Sequence, residues 1–223
     1  MLGSYLYILL IAVALGAVTQ WYVNSAFTRQ SKVPLATGHT GAQIARNMLD
    51  AEGLHDVGIE RVSGRLSDHY DPRARVLRLS PDVHDGSSVA AAGVAAHEAG
   101  HAVQHARSFA PAQLRQTLVP AANIGSQAAF PLIILGAIMG GAGGLMTLGI
   151  LLFAAAVAFH VVTLPVEFDA SRRALGALNV GNTLPAEQVR GARTVLTAAA
   201  LTYVAATLVS VLQLVYFLGL ARR

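Results

Sequence analysis

The chain has 223 residues, of which 54% are hydrophobic and 13% charged, and it contains no cysteine. That is too apolar for an ordinary soluble domain, and the missing cysteines exclude a disulfide scaffold, a Cys-rich zinc module and a thiol nucleophile. The net charge of +4 comes with no nucleic-acid motif or stacking aromatics, so it reads as a membrane-surface feature and no nucleic-acid partner is expected.

No charged residue precedes Arg29, and the apolar run from Leu6 to Val18 lies between Tyr5 and Tyr7 on one side and Trp21 and Tyr22 on the other. Aromatic pairs at both ends suit a membrane span, whereas a cleaved signal peptide carries positive charge ahead of its apolar core. Residues 1–23 are therefore read as an N-terminal transmembrane helix. Residues 24–117 are hydrophilic and read as a soluble portion. Within it, Thr40 to Asp50 has helical periodicity, with Thr40 and Gln43 in capping-box spacing and Gly53 beyond the end. Ile59 to Val62 and Val76 to Leu79 are candidate strands, with Asp71-Pro72-Arg73 supplying turn chemistry between them. A second helix, over about 86–107, follows the capping residues Asp85-Gly86-Ser87-Ser88. It is built of small residues, and Gly93 and Gly100 each cost about 1 kcal/mol relative to Ala, a cost that close approach of another element would offset.

Between Arg115 and Glu167 lie 51 uncharged residues, enough for two spans of about 20 residues each. A turn at Gly140-Gly141-Ala142-Gly143-Gly144 would divide a transmembrane hairpin, 118–166, into helices near 119–139 and 145–164. Asn123, Ser126 and Gln127 read as interhelical glue, and His160 as a residue that snorkels or supports the site from outside. Residues 167–193 form a loop or short helix, and 194–223 a fourth span. Fourteen of the 16 basic residues fall in the two hydrophilic segments, which two crossings put on one side. Arg172, Arg173, Arg190 and Arg193 place that side in the cytoplasm by the positive-inside rule. The expectation is a multi-pass cell-membrane protein with a cytoplasmic active site.

The chemistry is concentrated at His97-Glu98-Ala99-Gly100-His101, which satisfies H-E-x-x-H. Histidines four apart share one helical face, about 6 Å apart along the axis, and both reach one tetrahedral Zn²⁺. Glu98 projects beside them as a general base for a water whose pKa the metal draws toward about 7. A third ligand must come from elsewhere. His105 is about 12 Å along the axis from His97, and the third histidine of the metzincin pattern is absent, positions 104 and 107 being Gln and Arg. Glu167 is the leading candidate by position: it follows Pro165, a suitable first-turn residue, just beyond the third span. An acidic residue at a helix N-terminus is its bland alternative.

The stretches Asp68-His69-Tyr70-Asp71-Pro72, Ala96 to His105 and Leu164 to Ser171 resemble the YugP-like membrane zinc metallopeptidases and, more distantly, the HtpX-type membrane proteases. The resemblance covers most of the chain. It implies a mainly α membrane protein of about four transmembrane helices, whose small α+β zincin-like, gluzincin-type portion carries the H-E-x-x-H helix. It further implies His97, His101 and Glu167 as ligands to one Zn²⁺ per chain and Glu98 as catalytic base. In the HtpX-type pattern the residue four after the ligand glutamate is usually Asp; here it is Ser171, and Asp169 is the substitute for a carboxylate supporting a ligand histidine. His69, Tyr70 and Arg172 are candidates for stabilising an oxyanion, beside plainer roles in a turn or strand and at lipid headgroups. The expected activity is endoproteolysis of membrane-associated protein or peptide substrates, with no obligate protein partner. A zinc-stabilised scaffold or adaptor without turnover, and a zinc hydrolase of lipid amides or esters, are the alternatives.

Overall fold

The computed structural model describes residues 2–139, 144–180 and 184–221. It comprises two compact units, Met1–Val18 with Ala110–Pro165 and Thr202–Arg223, and Thr19–Phe109 with Val166–Leu201. The chain is mainly helical with one small sheet. Among the described residues four helices are long and apolar enough to cross a membrane: α1 (Leu2–Gln30), α5 (Ala110–Ile138), α6 (Leu145–Asn179) and α7 (Ala186–Ala221). The remaining elements are α2 (Gly41–Ala51), β1 (Gly58–Arg61), β2 (His69–Asp71), β3 (Val76–Leu79), α3 (Pro81–His84) and α4 (Val89–Ala106).

In the first unit the core is aromatic and branched: Ile133, Ile150, Phe153, Val157 and Phe217 are buried together, with Phe153 and Phe217 meeting edge to face at 5.6 Å. The contact of α5 with α6 is close, since a Cβ added at Gly125 would lie 2.3 Å from the carbonyl oxygen of Leu152. The polar trio of α5 is not interhelical glue. Asn123, Ser126 and Gln127 are exposed, and the Ser126 hydroxyl donates to the carbonyl of Asn123 in its own helix.

The helices outrun the apolar segments that suggested them. α5 starts at Ala110 rather than near 119, and α6 passes through Pro165 to Asn179. Pro165 is therefore in a helix interior and not in a first turn, and Glu167 is not at a helix N-terminus. The cost is one lost intrahelical hydrogen bond, which long apolar helices tolerate when neighbours pack around the break. Apart from Gly144, the glycine turn expected over 140–144 lies outside the described residues, as do Arg222 and Arg223.

In the second unit α2 has the capping box read from its sequence: Gln43 N–H donates to the Thr40 hydroxyl and Thr40 N–H to the Gln43 side chain. The sheet has the order β1-β3-β2, with β1 parallel and β2 antiparallel to β3. Asp71 begins the turn, accepting from the N–H groups of Arg73 and Ala74, and its other oxygen takes Arg78 on β3 at 2.5 Å. Buried Leu77 and Leu79 of β3 join Leu49 of α2 and Val83 of α3 in the core beneath α4.

Ser88 caps α4, its hydroxyl accepting from Ala91 N–H. Thirteen of the 18 α4 residues are buried, so the helix needs small side chains to fit. A Cβ at Gly93 would lie 3.3 Å from that of Ala192 on α7, and one at Gly100 would lie 2.7 Å from the carbonyl oxygen of Ala170 on α6. The missing Cβ of Gly100 lets two backbones touch, which offsets its poor helix propensity. Gly100→Ala should therefore lower the thermal midpoint of the detergent-solubilised protein, followed by circular dichroism, although Ala is the better helix former by about 1 kcal/mol. A raised midpoint would contradict the close contact.

Candidate metal centre

His97 and His101 stand one turn apart on α4, and Glu167 faces them from α6. Nε2 of His97 lies 3.3 Å, and Nε2 of His101 3.7 Å, from Oε2 of Glu167. The two imidazoles meet edge to face with centroids 4.7 Å apart. One ligand atom from each of the three residues lies within 4.8 Å of the other two. The three candidates thus converge although 65 residues lie between His101 and Glu167.

The outer nitrogen of each ring is also held. The Ser171 hydroxyl is 3.1 Å from Nδ1 of His97, and the side-chain oxygen of Gln104 is 3.0 Å from Nδ1 of His101. Gln104 is only 1% exposed, and its amide nitrogen donates to the Val166 carbonyl at 2.7 Å and to Asp169 at 3.0 Å. Asp169 also takes Arg173 at 2.6 Å and Arg172. The expected support has therefore divided between two residues: Ser171 touches His97, while Asp169 acts on the other histidine through Gln104.

The donor set fits a divalent cation of zinc's type. Glu167 is 3% exposed, and a carboxylate so buried is expensive unless opposite charge balances it. Burial disfavours the charged form of His101, yet the carboxylates of Glu167 and Glu98 raise its pKa above the ordinary imidazole value. The site groups two nitrogens and an oxygen, the mixture that zinc accepts.

Glu98 is 8% exposed. Among the described residues its carboxylate has no hydrogen-bond partner, which leaves its oxygens available to a small molecule beside the histidines. Asp68 is near enough to feel its charge. Burial raises the Asp68 carboxyl above its usual range, Glu98 adds to the effect, and hydrogen bonds from the backbone and hydroxyl of Ser80 oppose it.

The remaining candidates are placed differently. His69 is the first residue of β2, with its Nδ1 2.8 Å from the carbonyl oxygen of Ser67. Tyr70 reaches α4 one turn beyond His101, its hydroxyl 2.9 Å from Nδ1 of His105. Arg172 is committed to Asp169. His160 belongs to the other unit, where its carbonyl accepts from the Thr207 hydroxyl. Gln104 is the functional residue that the sequence pattern does not single out: it lies three after His101 on the same face of α4, but its partners Val166 and Asp169 are on another helix.

A family model described as "Putative neutral zinc metallopeptidase" matches residues 5–222. The Bacillus subtilis (strain 168) protein named "Putative membrane protease YugP" is 46% identical over 213 residues, which cover 96% of this chain and 94% of that protein. No solved structure matches.

For a zinc ion shared by the three groups, substitutions should grade by their distance from it. In competition with a chromophoric chelator, Glu167→Ala should weaken zinc binding at least ~100-fold and Ser171→Ala about 10-fold, the range seen for groups that support a ligand histidine. Unchanged affinity in Glu167→Ala would contradict the shared site.

Proposed function

The chain belongs to the neutral zinc metallopeptidase family, and from that premise we propose that it is a membrane-embedded, zincin-like endopeptidase holding one zinc ion through His97, His101 and Glu167, with Glu98 as general base. The observation that carries the reading is the convergence of those three donors beside Glu98, which adjoins His97 on α4 and whose carboxylate has no hydrogen-bond partner among the described residues. Bound zinc supplies Lewis acidity, which acidifies a water and polarises a scissile carbonyl. The chain's own residues do the rest. Glu98 takes the proton of the attacking water on a carboxylate oxygen and returns it to the departing amine. Ser171 and Gln104 hold the two imidazoles in place. β2 is an edge strand of the sheet and packs beside α4, so an extended peptide adding to it would run along the active-site helix. Three grouped donors among the described residues leave a position for water and favour an enzyme over a scaffold, in which a closed set of four protein ligands is the rule.

Four long apolar helices support a multi-pass protein, and Arg172, Arg173, Arg190 and Arg193 support a cytoplasmic active site. Because the chain has no cysteine, Ser63→Cys should resist a membrane-impermeant maleimide on intact cells and react after lysis. Labelling of intact cells would reverse the orientation.

Glu98→Gln should retain zinc and lose casein hydrolysis by ~100-fold or more, the scale of a lost general base. Full cleavage by that variant would reject the base. Turnover of lipid amides or esters in place of casein would move the protein to a lipid hydrolase acting through the same residues.

A further inference from the structure

We propose that Gln104 is a positioning residue of the metal centre: it holds the neutral His101 ring in the single tautomer whose Nε2 lone pair faces the site shared with His97 and Glu167, and the Val166 carbonyl and Asp169 fix which end of the amide faces the ring. The inference rests on the zinc reading above and extends it to a residue that touches neither substrate nor metal.

The amide is locked by the chemistry of its neighbours. Its nitrogen lies 2.7 Å from the Val166 carbonyl oxygen and 3.0 Å from Oδ2 of Asp169. A backbone carbonyl has no proton to give. A carboxylate paired with Arg172 and Arg173 has none either. Both sites therefore demand a donor, and flipping the amide would set oxygen against oxygen twice. The carbonyl end must face His101, 3.0 Å from its Nδ1. An amide oxygen only accepts, so Nδ1 carries a proton whatever the charge of the ring, and in the neutral ring the lone pair falls on Nε2, 3.7 Å from Glu167.

His97 has no such constraint. Its Nδ1 meets the Ser171 hydroxyl, which donates or accepts by rotating, so Ser171 orients the ring without choosing its tautomer. The two ligand histidines are thus held by different means. The burial of Gln104 has the same logic: a fully buried amide is costly unless all its hydrogen-bonding capacity is used, and here both ends are engaged.

The test uses full-length, detergent-solubilised protein with ¹⁵N-labelled histidine, metal-free and at alkaline pH where imidazole is neutral. Wild-type His101 should show protonated Nδ1 alone. Gln104→Met keeps the volume and removes both ends of the amide. It should give mixed His101 tautomers and weaken zinc binding ~10–100-fold in chelator competition, whereas Ser171→Ala should leave the His101 spectrum unchanged. If Gln104 merely cements α4 to α6, Gln104→Met will melt earlier yet keep a pure Nδ1–H tautomer and wild-type zinc affinity, and the proposal is overturned. Should that variant not fold, the wild-type spectrum decides: protonated Nε2 on His101, alone or mixed with protonated Nδ1, would overturn the proposal. Failure of the wild type to bind zinc would sink the metal reading alone, because the tautomer is read without metal.

Discussion

A carboxylate buried between two imidazoles organises the second unit, because each of its neighbours either brings the three groups together or keeps them from turning away. Desolvating Glu167 is unfavourable by several kcal/mol unless a cation offsets it. The chain nevertheless commits it to a contact that admits almost no water. That contact depends on backbone approach. With no Cβ at Gly100, α4 comes within reach of the Ala170 carbonyl three residues beyond Glu167, so helix packing and donor convergence are one event. The alanines around the site keep α4 thin enough to be enclosed by α2, the sheet, α6 and α7.

Outside the three donors the polar groups form a chain that ends at solvent. Gln104 and Ser171 engage the outer ring nitrogens, Asp169 engages Gln104, and Arg173 and Arg172 close the series, the latter with 77% of its side chain exposed. A buried network of this sort is favourable only when each member is satisfied. Its charged terminus sits where water supplies the last hydrogen bonds. The arginines that look in the sequence like a lipid-facing basic cluster have this second, inward task. Glu98 is the exception to the pattern, a buried carboxylate without a protein hydrogen bond among the described residues, and it stands at the residue to which the chemistry is assigned.

Much of this could be read from the residues because it depends on short-range rules. The capping box at Thr40 and Gln43, the strand Val76–Leu79 and the small-residue helix carrying the histidines are local patterns, and the structure contains each of them. Glu167 was singled out by its position just beyond the third span, and the family resemblance implied its role as a ligand. Other features were hidden for physical reasons. β2 is three residues long and too short to show alternation, and its place beside β3, with β1 parallel on the far side, is set by tertiary contacts. Pro165 suggested a helix start because propensity is local, while the continuation of α6 is decided by packing. Gln104 was missed because a buried polar residue reveals its partner only when the opposing helix is in place.

X-ray absorption at the zinc edge of the purified, zinc-loaded chain tests the central claim most directly. The account predicts a first shell of two imidazole nitrogens at about 2.0–2.1 Å and oxygens from a carboxylate and solvent at about 2.0–2.2 Å, with one nitrogen lost in His97→Ala and an oxygen-centred change in Glu167→Ala. A shell closed by four protein donors, or one that Glu167→Ala leaves unaltered, would contradict it.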